Sequence, residues 1–385
     1  MLGLFAVLII WQGAFRKWFL PGLATPLYVA KDVALLGAVV LYGVQHGFRL
    51  ARPLKHTALP VLWGGLAFIV ILQAFNWNYP TLIGSVVGIR SYLLYSTLLV
   101  LLPMAMNRIK EPERFVLWIV LLGFVPVLLL GIYQFQQPLD AWINQYVSDE
   151  QQLVGVNGHP RIVGTFSYIG GMANFLTLSL FLSAGVLLAG VRYRHHLYMW
   201  LGGAFLALAL VVAPMAGSRS VVFGALIPLP FILYTILKGR RGVSVGIAIG
   251  IIAVILVYAL SEVGWLAQGW ETIDQRIESG QRSGEQEQRV FYTILDPISK
   301  ISVAGILGYG TGGTHEAAVA LSGQRASIPV GVEGGFGRVI LELGAIGGLF
   351  YFLLKIWLAW TAWVAMRRAA DAWETLLSVT VFGWL

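Results

Sequence analysis

Long apolar runs separated by short polar stretches dominate this chain of 385 residues. Most runs span about 18–25 residues, and a helix of about 20 residues crosses a hydrocarbon core of roughly 30 Å. The alternating strands of about ten residues that a membrane β-barrel needs are absent from the sequence. The pattern therefore predicts an all-α, polytopic transmembrane helical bundle. About eleven spans are predicted, at residues 2–14, 27–46, 57–75, 81–106, 113–135, 168–190, 197–214, 219–237, 243–260, 336–365 and 372–385.

Composition agrees with this pattern. Hydrophobic residues make up 58% of the chain and charged residues 11%, whereas soluble domains carry about 25% charged residues. So little charge cannot cover a water-soluble surface, which excludes an ordinary soluble domain. The last apolar run reaches Leu385, so we expect the final span to be cut short.

Lys and Arg concentrate in alternate loops, and this asymmetry predicts the orientation. One set of loops holds 13 of the 26 basic residues, whereas the intervening short loops at 76–80 and 215–218 hold none. Because short cytoplasmic loops are enriched in Lys and Arg, we predict that the first set faces the cytoplasm. Arg16 and Lys17 are the exception, since this orientation places them outside.

Two long loops then fall on the outer side, at residues 136–167 and 261–335. We divide the chain into transmembrane helices 1–9 over residues 1–260, the large outer loop over 261–335, and C-terminal transmembrane helices over 336–385. Within the large loop, Gly305–Gly313 is too rich in Gly for a stable helix and predicts a turn-forming loop.

Two arginines near or inside the spans are candidates for binding an anion. Arg90 lies well inside the fourth span, where a charge is expensive and usually faces a cavity or an ion-pair partner. Arg219 follows the Pro/Gly-containing segment 213–218, and a helix broken at this depth normally lines a protein cavity. Its planar guanidinium suits phosphate, although an interfacial Arg that touches lipid headgroups is the plainer alternative.

Further candidates lie in the two outer loops. Arg161, Arg282 and Arg289 would form an anion funnel if they converge, but each alone is a common surface residue. His315 is a candidate general base beside the Gly-rich loop, or an ordinary loop histidine. Glu333 is a second candidate base, or an acid that stabilises the N-terminus of the tenth span.

Several kinds of chemistry are excluded by missing motifs. There is no Cys, no P-loop and no HExxH, so thiolate catalysis and ATP hydrolysis are not indicated. No sequence cluster suggests a metal, and we predict no metal and no cofactor. The net charge of +8 follows from the loop basic residues, so nucleic acid is not a predicted partner.

Four short motifs resemble the O-antigen ligase and polymerase group of bacterial membrane proteins. They are Arg161–Phe166 (Arg-x-x-Gly-Thr-Phe), Gly217–Ser220 (with its Ser-Arg element), Gly308–Gly310 (a Gly-x-Gly turn) and Leu341–Gly348 (a Glu-x-Gly-x-x-Gly helix start). Their order and spacing also fit, and the resemblance covers about residues 55–385.

The resemblance implies a C-type membrane glycosyltransferase that acts without metal on the outer face of a bacterial inner membrane. Its donor would be a glycan on undecaprenyl diphosphate, its acceptor another glycan or a lipid, and its partners polysaccharide chain-length or export proteins. Arg161 and Arg219 would bind the diphosphate, with Arg219 also catalytic and Arg90, Arg282 and Arg289 as further glycan or diphosphate contacts. Glu333 or His315 would accept the hydroxyl proton.

One departure favours a polymerase over a ligase. Ligases of this group carry a His shortly before the Glu-x-Gly-x-x-Gly helix, where this chain has Glu333 and no His. We therefore expect a polymerase of a surface polysaccharide or exopolysaccharide, with a ligase that acts on a lipid A core as the alternative. A transporter or flippase for an anionic lipid or sugar is the alternative from another class.

Overall fold

The computed structural model of the protein describes residues 1–47, 55–76, 82–147, 155–156, 159–218, 221, 232, 268, 297–323, 328 and 335–385. Twelve α-helices have defined bounds within these residues: Leu2–Ala14 (α1), Ala24–His46 (α2), Leu59–Ala74 (α3), Leu82–Ile89 (α4), Leu98–Met106 (α5), Pro112–Trp118 (α6), Val125–Gln136 (α7), Ile169–Tyr193 (α8), His196–Val212 (α9), Glu316–Ser322 (α10), Gly335–Arg368 (α11) and Ala372–Trp384 (α12). Residues 297–304 are helical as well. Strands β1 (Gly155–Val156) and β2 (His159–Pro160) form a two-stranded antiparallel sheet.

The all-α polytopic prediction is confirmed. Among the described residues, seven helical stretches are long and apolar enough to cross a membrane: Leu2–Phe19, Pro21–His46, Leu82–Met106, Pro112–Gln136, Ile169–Tyr193, His196–Ala216 and Gly335–Arg368. The predicted spans 57–75 and 372–385 correspond to the shorter helices α3 and α12. The predicted spans 219–237 and 243–260 lie outside the described residues.

Backbone contacts divide the chain into two units, each made of separate stretches of sequence. The first unit comprises Met1–Phe5, Asp32–Ile109 and Gln281–Leu358, and the second comprises Ala6–Lys31, Lys110–Gly280 and Ala359–Leu385. The sequence-based division into two membrane regions and one outer loop describes where each segment lies relative to the bilayer. The contacts within the protein do not test that division, and it stays a prediction.

Glycines allow the helices of the second unit to approach closely. A Cβ added at Gly190 would lie 2.5 Å from the Met199 nitrogen, and one added at Gly185 would lie 2.8 Å from the Leu376 carbonyl oxygen. Small residues at helix crossings are typical of membrane bundles, because dispersion contacts between backbones replace the hydrophobic effect. Helix α8 therefore packs closely against both α9 and α12, and their side chains contribute to one buried core.

Three of the described spans contain π-helical turns, and two of these turns carry basic residues. The turns are Phe15–Phe19, Arg90–Leu94 and Ile119–Phe124. Such turns widen the backbone locally and are frequent at functional sites. Arg16 and Lys17 lie in the first turn, and Arg90 begins the second.

Helix α11 corrects one sequence-based expectation. We predicted a continuous span at 336–365, but the helix is broken at Gly344, where φ is +71° and ψ is −175°. Only Gly occupies this region of backbone space without strain. The span therefore consists of two helical pieces on either side of Gly344.

Candidate functional site

A Gly-rich loop of the first unit, residues 305–314, lies against the break in α11. At the break, backbone N–H and carbonyl groups of α11 lack their usual partners within the helix, and the loop forms hydrogen bonds with them. There are three such bonds: Tyr309 N–H to the Leu341 carbonyl (2.7 Å), Gly310 N–H to the Glu342 carbonyl (3.1 Å), and Ala345 N–H to the Gly305 carbonyl (3.0 Å). Irregular backbone is tolerated at membrane depth when protein buries it in this way. The predicted turn-forming loop at 305–313 is confirmed, and its function here is to complete a broken helix.

Two glycines make this approach possible. Gly308 has φ +77° and lies so close to Gly344 that a Cβ at either position would overlap backbone atoms of the other segment. The Gly-x-Gly turn and the Glu-x-Gly helix start therefore form one structural element, although they are separate motifs in the sequence.

Glu342 is the centre of this element. Its side chain is completely buried and accepts four hydrogen bonds from neutral donors. Oε1 accepts from the Thr314 N–H at 2.8 Å and the Thr314 hydroxyl at 2.6 Å, and Oε2 accepts from the Gly312 N–H at 3.0 Å and the Tyr92 hydroxyl at 2.9 Å. A buried carboxylate with four donors is well satisfied, because its two oxygens offer about four lone-pair sites.

His315 directly follows the segment that Glu342 anchors. Its backbone N–H donates to the Gly312 carbonyl at 3.2 Å, and the residue precedes the first turn of α10. The imidazole is half-buried and makes no hydrogen bond within the described part of the chain. The backbone that carries the imidazole is anchored next to Thr314, whose N–H and hydroxyl both donate to Glu342.

Arg90 lies in the first unit within a second buried polar cluster. Its Nε is 2.8 Å from Asp32 Oδ2, and its Nη2 donates to the Tyr95 hydroxyl at 3.1 Å. Tyr95 in turn donates to Asp32 Oδ1 at 2.6 Å. From the sequence, we expected Arg90 to face either a cavity or an ion-pair partner. In the structure it forms an ion pair with Asp32.

In the second unit, Arg161 is held at the Pro/Gly break that follows α9. Its Nε donates to the Ala216 carbonyl at 3.1 Å, and its side chain lies beside Gly217, which has φ +55°. The break is as the sequence predicts: α9 ends at Val212, and Pro214–Ala216 form a single 3-10 turn. The Arg-x-x-Gly-Thr-Phe motif and the segment before Arg219 are thus in direct contact.

The sequence reasoning missed three residues that hold this motif or the residue that follows it. Gln134 Oε1 accepts from the Gly164 N–H at 2.7 Å, Lys17 Nζ donates to the Gly164 carbonyl at 2.7 Å, and Arg16 Nη1 donates to the Ser167 hydroxyl at 3.0 Å. The signal was present for two of them, since Arg16 and Lys17 were the exception to the charge asymmetry of the loops. Their contacts join the end of the first span to the end of the 136–167 loop.

The remaining predicted site residues, Arg219, Arg282, Arg289 and Glu333, lie outside the described residues. Among the residues that are described, Arg90 and His315 belong to the first unit and Arg161 to the second. No group of three or more His, Asp or Glu side chains in the described ranges is arranged to hold a metal ion.

Comparison of the chain with protein-family models, with curated proteins and with solved structures found no match. The four motifs nevertheless meet in pairs. Gly308–Gly310 contacts the start of Leu341–Gly348 in the first unit, and Arg161–Phe166 contacts the turn that leads into Gly217–Ser220 in the second.

Proposed function

We propose that this chain is a metal-independent glycosyltransferase that polymerises oligosaccharide repeats carried on undecaprenyl diphosphate. It would act on the outer face of a bacterial cytoplasmic membrane. The observation that carries the proposal is the pairing of the four motifs. Arg161 reaches a carbonyl 55 residues away, and Glu342 binds a backbone N–H 30 residues away.

The arginines supply the electrostatic part of the mechanism. Arg161 and Arg219 bind the donor diphosphate, since the Arg161 side chain is fixed to the turn that immediately precedes Arg219. As the glycosidic oxygen leaves the anomeric carbon, negative charge develops on the diphosphate, and positioned cations stabilise that charge. Arg282 and Arg289 contribute from the large loop, and Arg90 remains a further candidate.

A general base supplies the proton transfer. The acceptor hydroxyl attacks the anomeric carbon, its proton passes to the base, and the bond to the diphosphate oxygen breaks. Of the two candidates, His315 has support from geometry, because its side chain has no described hydrogen bond and its backbone is anchored through Thr314 and Glu342. Glu333 remains the alternative base.

The broken helix is also compatible with a transporter, since transporters often bind substrate at discontinuous helices. In those proteins, the backbone N–H and carbonyl groups at the break contact the substrate. Here the groups on both sides of Gly344 are occupied by the 305–314 loop. The break is therefore completed by the chain itself, which favours the transferase.

Variants of the two diphosphate arginines test the proposal in cells. We expect Arg161→Ala and Arg219→Ala each to lower long-chain polymer by about 10²-fold or more and to leave single lipid-linked repeats, because charge stabilisation of the leaving group is lost. Gel analysis of polymer length, with membrane insertion checked by immunoblot, provides the measurement. Arg108→Ala is the matched control, since Arg108 is exposed. Normal chain lengths in both arginine variants would contradict the proposal, and long polymer on undecaprenyl diphosphate would identify a ligase instead.

A second pair of variants identifies the base. We expect His315→Gln to lower the elongation rate by about 10²–10⁴-fold, the usual contribution of a general base, and Glu333→Gln to lower it by far less. Initial rates of repeat addition in isolated membranes provide the comparison. The reverse ranking would assign the base to Glu333.

A further inference from the structure

A buried ammonium group ends the first span of the second unit, and it has no acidic partner among the described residues. Lys17 is only 7% exposed. Its Nζ donates to the Gly164 carbonyl at 2.7 Å and lies 4.4 Å from the centre of the Trp18 ring. An ammonium group has three donors and a full charge, so one carbonyl and one ring face leave both incompletely satisfied.

The neighbouring guanidinium has the same character. Arg16 donates through Nε to the Ala24 carbonyl at 2.8 Å and through Nη1 to the Ser167 hydroxyl at 3.0 Å, and it lies 5.2 Å from the Tyr28 ring centre. These partners are neutral, and no described carboxylate forms an ion pair with Arg16. Two adjacent cations are therefore gathered without a described anion.

A third donor lies in the same turn. The indole Nε1–H of Trp18 is buried and has no hydrogen-bond partner among the described residues. An indole nitrogen can only donate, and buried donors without an acceptor are rare in proteins. Three consecutive side chains thus have unmet donors or unmet positive charge, and acceptor oxygens are what this site lacks.

The aromatic surroundings indicate the depth of the site. Trp18 packs edge-to-face on Trp142 with ring centres 6.0 Å apart, and Trp142 is 61% exposed. Trp residues are enriched at the level of lipid headgroups, where their rings are apolar on one side and hydrated on the other. At this depth the abundant anionic group is phosphate.

We propose that Arg16, Lys17 and Trp18 bind the phosphate group of a membrane lipid headgroup. Phosphate oxygens accept several hydrogen bonds at once, and an Arg fork binds two of them in parallel. The phosphate charge also offsets the buried ammonium, whose transfer out of water is otherwise unfavourable. This site goes beyond glycosyl transfer and does not depend on that proposal.

Native mass spectrometry of the full chain, purified in detergent, tests the site directly. The probes are phosphatidylglycerol and a diacylglycerol with the same acyl chains, which lacks the phosphate. We expect the wild type to prefer phosphatidylglycerol and Lys17→Gln to bind it about tenfold more weakly, as for the loss of one charge-assisted hydrogen bond. The matched control is Lys110→Gln, which makes the same change at an exposed position of the same unit and should bind like the wild type.

Two further arms keep the test decisive. If Lys17→Gln fails to fold, Arg16→Gln removes the half-exposed cation and is expected to weaken phosphatidylglycerol binding by several-fold. Inorganic phosphate that displaces the lipid would show that the phosphate alone is recognised, and failure to displace it would show that the acyl chains contribute. Equal binding of both lipids by the wild type, or equal losses in Lys17→Gln and Lys110→Gln, would overturn the proposal.

Discussion

Two buried charged residues, one in each unit, differ in how many hydrogen bonds the protein gives them. Glu342 of the first unit is completely buried and accepts four hydrogen bonds from the loop and helix around it. Lys17 of the second unit is nearly as buried, but its described partners are one carbonyl and one aromatic ring.

We interpret this difference as that between a charge that stabilises the fold, which we call architectural, and a charge that binds a ligand. A charge whose hydrogen bonds all come from its own unit stabilises the fold, and its removal leaves several donors unpaired. A charge whose partners do not neutralise it stabilises little by itself and gains from an external anion. The variants below test this contrast, beginning with the largest expected effect.

Removal of the Glu342 carboxylate should have the largest effect on stability. We expect Glu342→Ala to lower the free energy of unfolding by about 4 kcal/mol, because it creates a cavity and leaves four buried donors without an acceptor. Unfolding in mixed micelles with increasing SDS measures this value. Glu111→Gln is the control, because the Glu111 side chain forms an exposed ion pair with Arg114, and the loss of this pair should change stability by less than about 1 kcal/mol. Equal stability of Glu342→Ala and the wild type would remove the architectural role.

The Arg90–Asp32 pair sharpens the contrast, since each charge there has an opposite charge as its partner. We expect Asp32→Asn to destabilise the first unit by about 3 kcal/mol, because Arg90 keeps its charge without a counter-ion. The double variant Asp32→Leu with Arg90→Met should recover most of this loss. If the double variant is stable but inactive in chain elongation, Arg90 also contacts substrate. Full activity would restrict it to a structural role.

Gly344 tests the backbone that holds Glu342 in place. We expect Gly344→Ala to cost about 2–3 kcal/mol, because the backbone conformation is restricted to Gly and a Cβ would overlap the Ile306 carbonyl. Gly305→Ala is the matched control, since Gly305 also has a positive φ of +63° but open space around its Cβ, and it should cost about 1 kcal/mol. The same micelle unfolding experiment compares them, and equal losses would mean that the close contact at Gly344 is unimportant.

Lys17→Met should have the smallest effect and tests the other side of the comparison. In detergent without added lipid, we expect stability to change by no more than about 1 kcal/mol, because the lost hydrogen bond to Gly164 is offset by removal of a buried charge. Added phosphatidylglycerol should raise the melting temperature of the wild type more than that of this variant, because the variant binds the lipid more weakly. If Lys17→Met lowers the free energy of unfolding as much as Glu342→Ala does, Lys17 stabilises the fold to the same extent as Glu342, which would contradict the comparison.

The sequence predicted the described spans well, because the length and hydropathy of a segment decide whether it crosses a membrane. Long runs such as 168–190 correspond closely to helix α8, and the Pro/Gly break after α9 was readable from Pro214 and Gly217. The break at Gly344 was not predicted. A run of apolar residues indicates that a segment crosses the membrane, but a single Gly in that run does not reveal a left-handed conformation that depends on a distant loop.

The candidate site was predicted in part. Arg161 and the Gly-rich loop were found from local composition, and the structure joins each to its neighbouring motif. Glu342 and Gln134 were not assigned a role, because their importance comes from hydrogen bonds to residues 30 positions away along the chain. Hydrogen-bond partners so far apart in the sequence cannot be recognised from hydropathy or from the spacing of neighbouring residues.

The most direct test of glycosyl transfer uses the purified full chain and a lipid-linked oligosaccharide repeat. Incubation without added metal or nucleotide, followed by mass spectrometry of the lipid-linked products, measures whether new glycosidic bonds form. The proposed function predicts a ladder of two or more joined repeats and release of undecaprenyl diphosphate, with no ladder from Arg219→Ala. Movement of the unaltered repeat across vesicles, without any joined product, would contradict it.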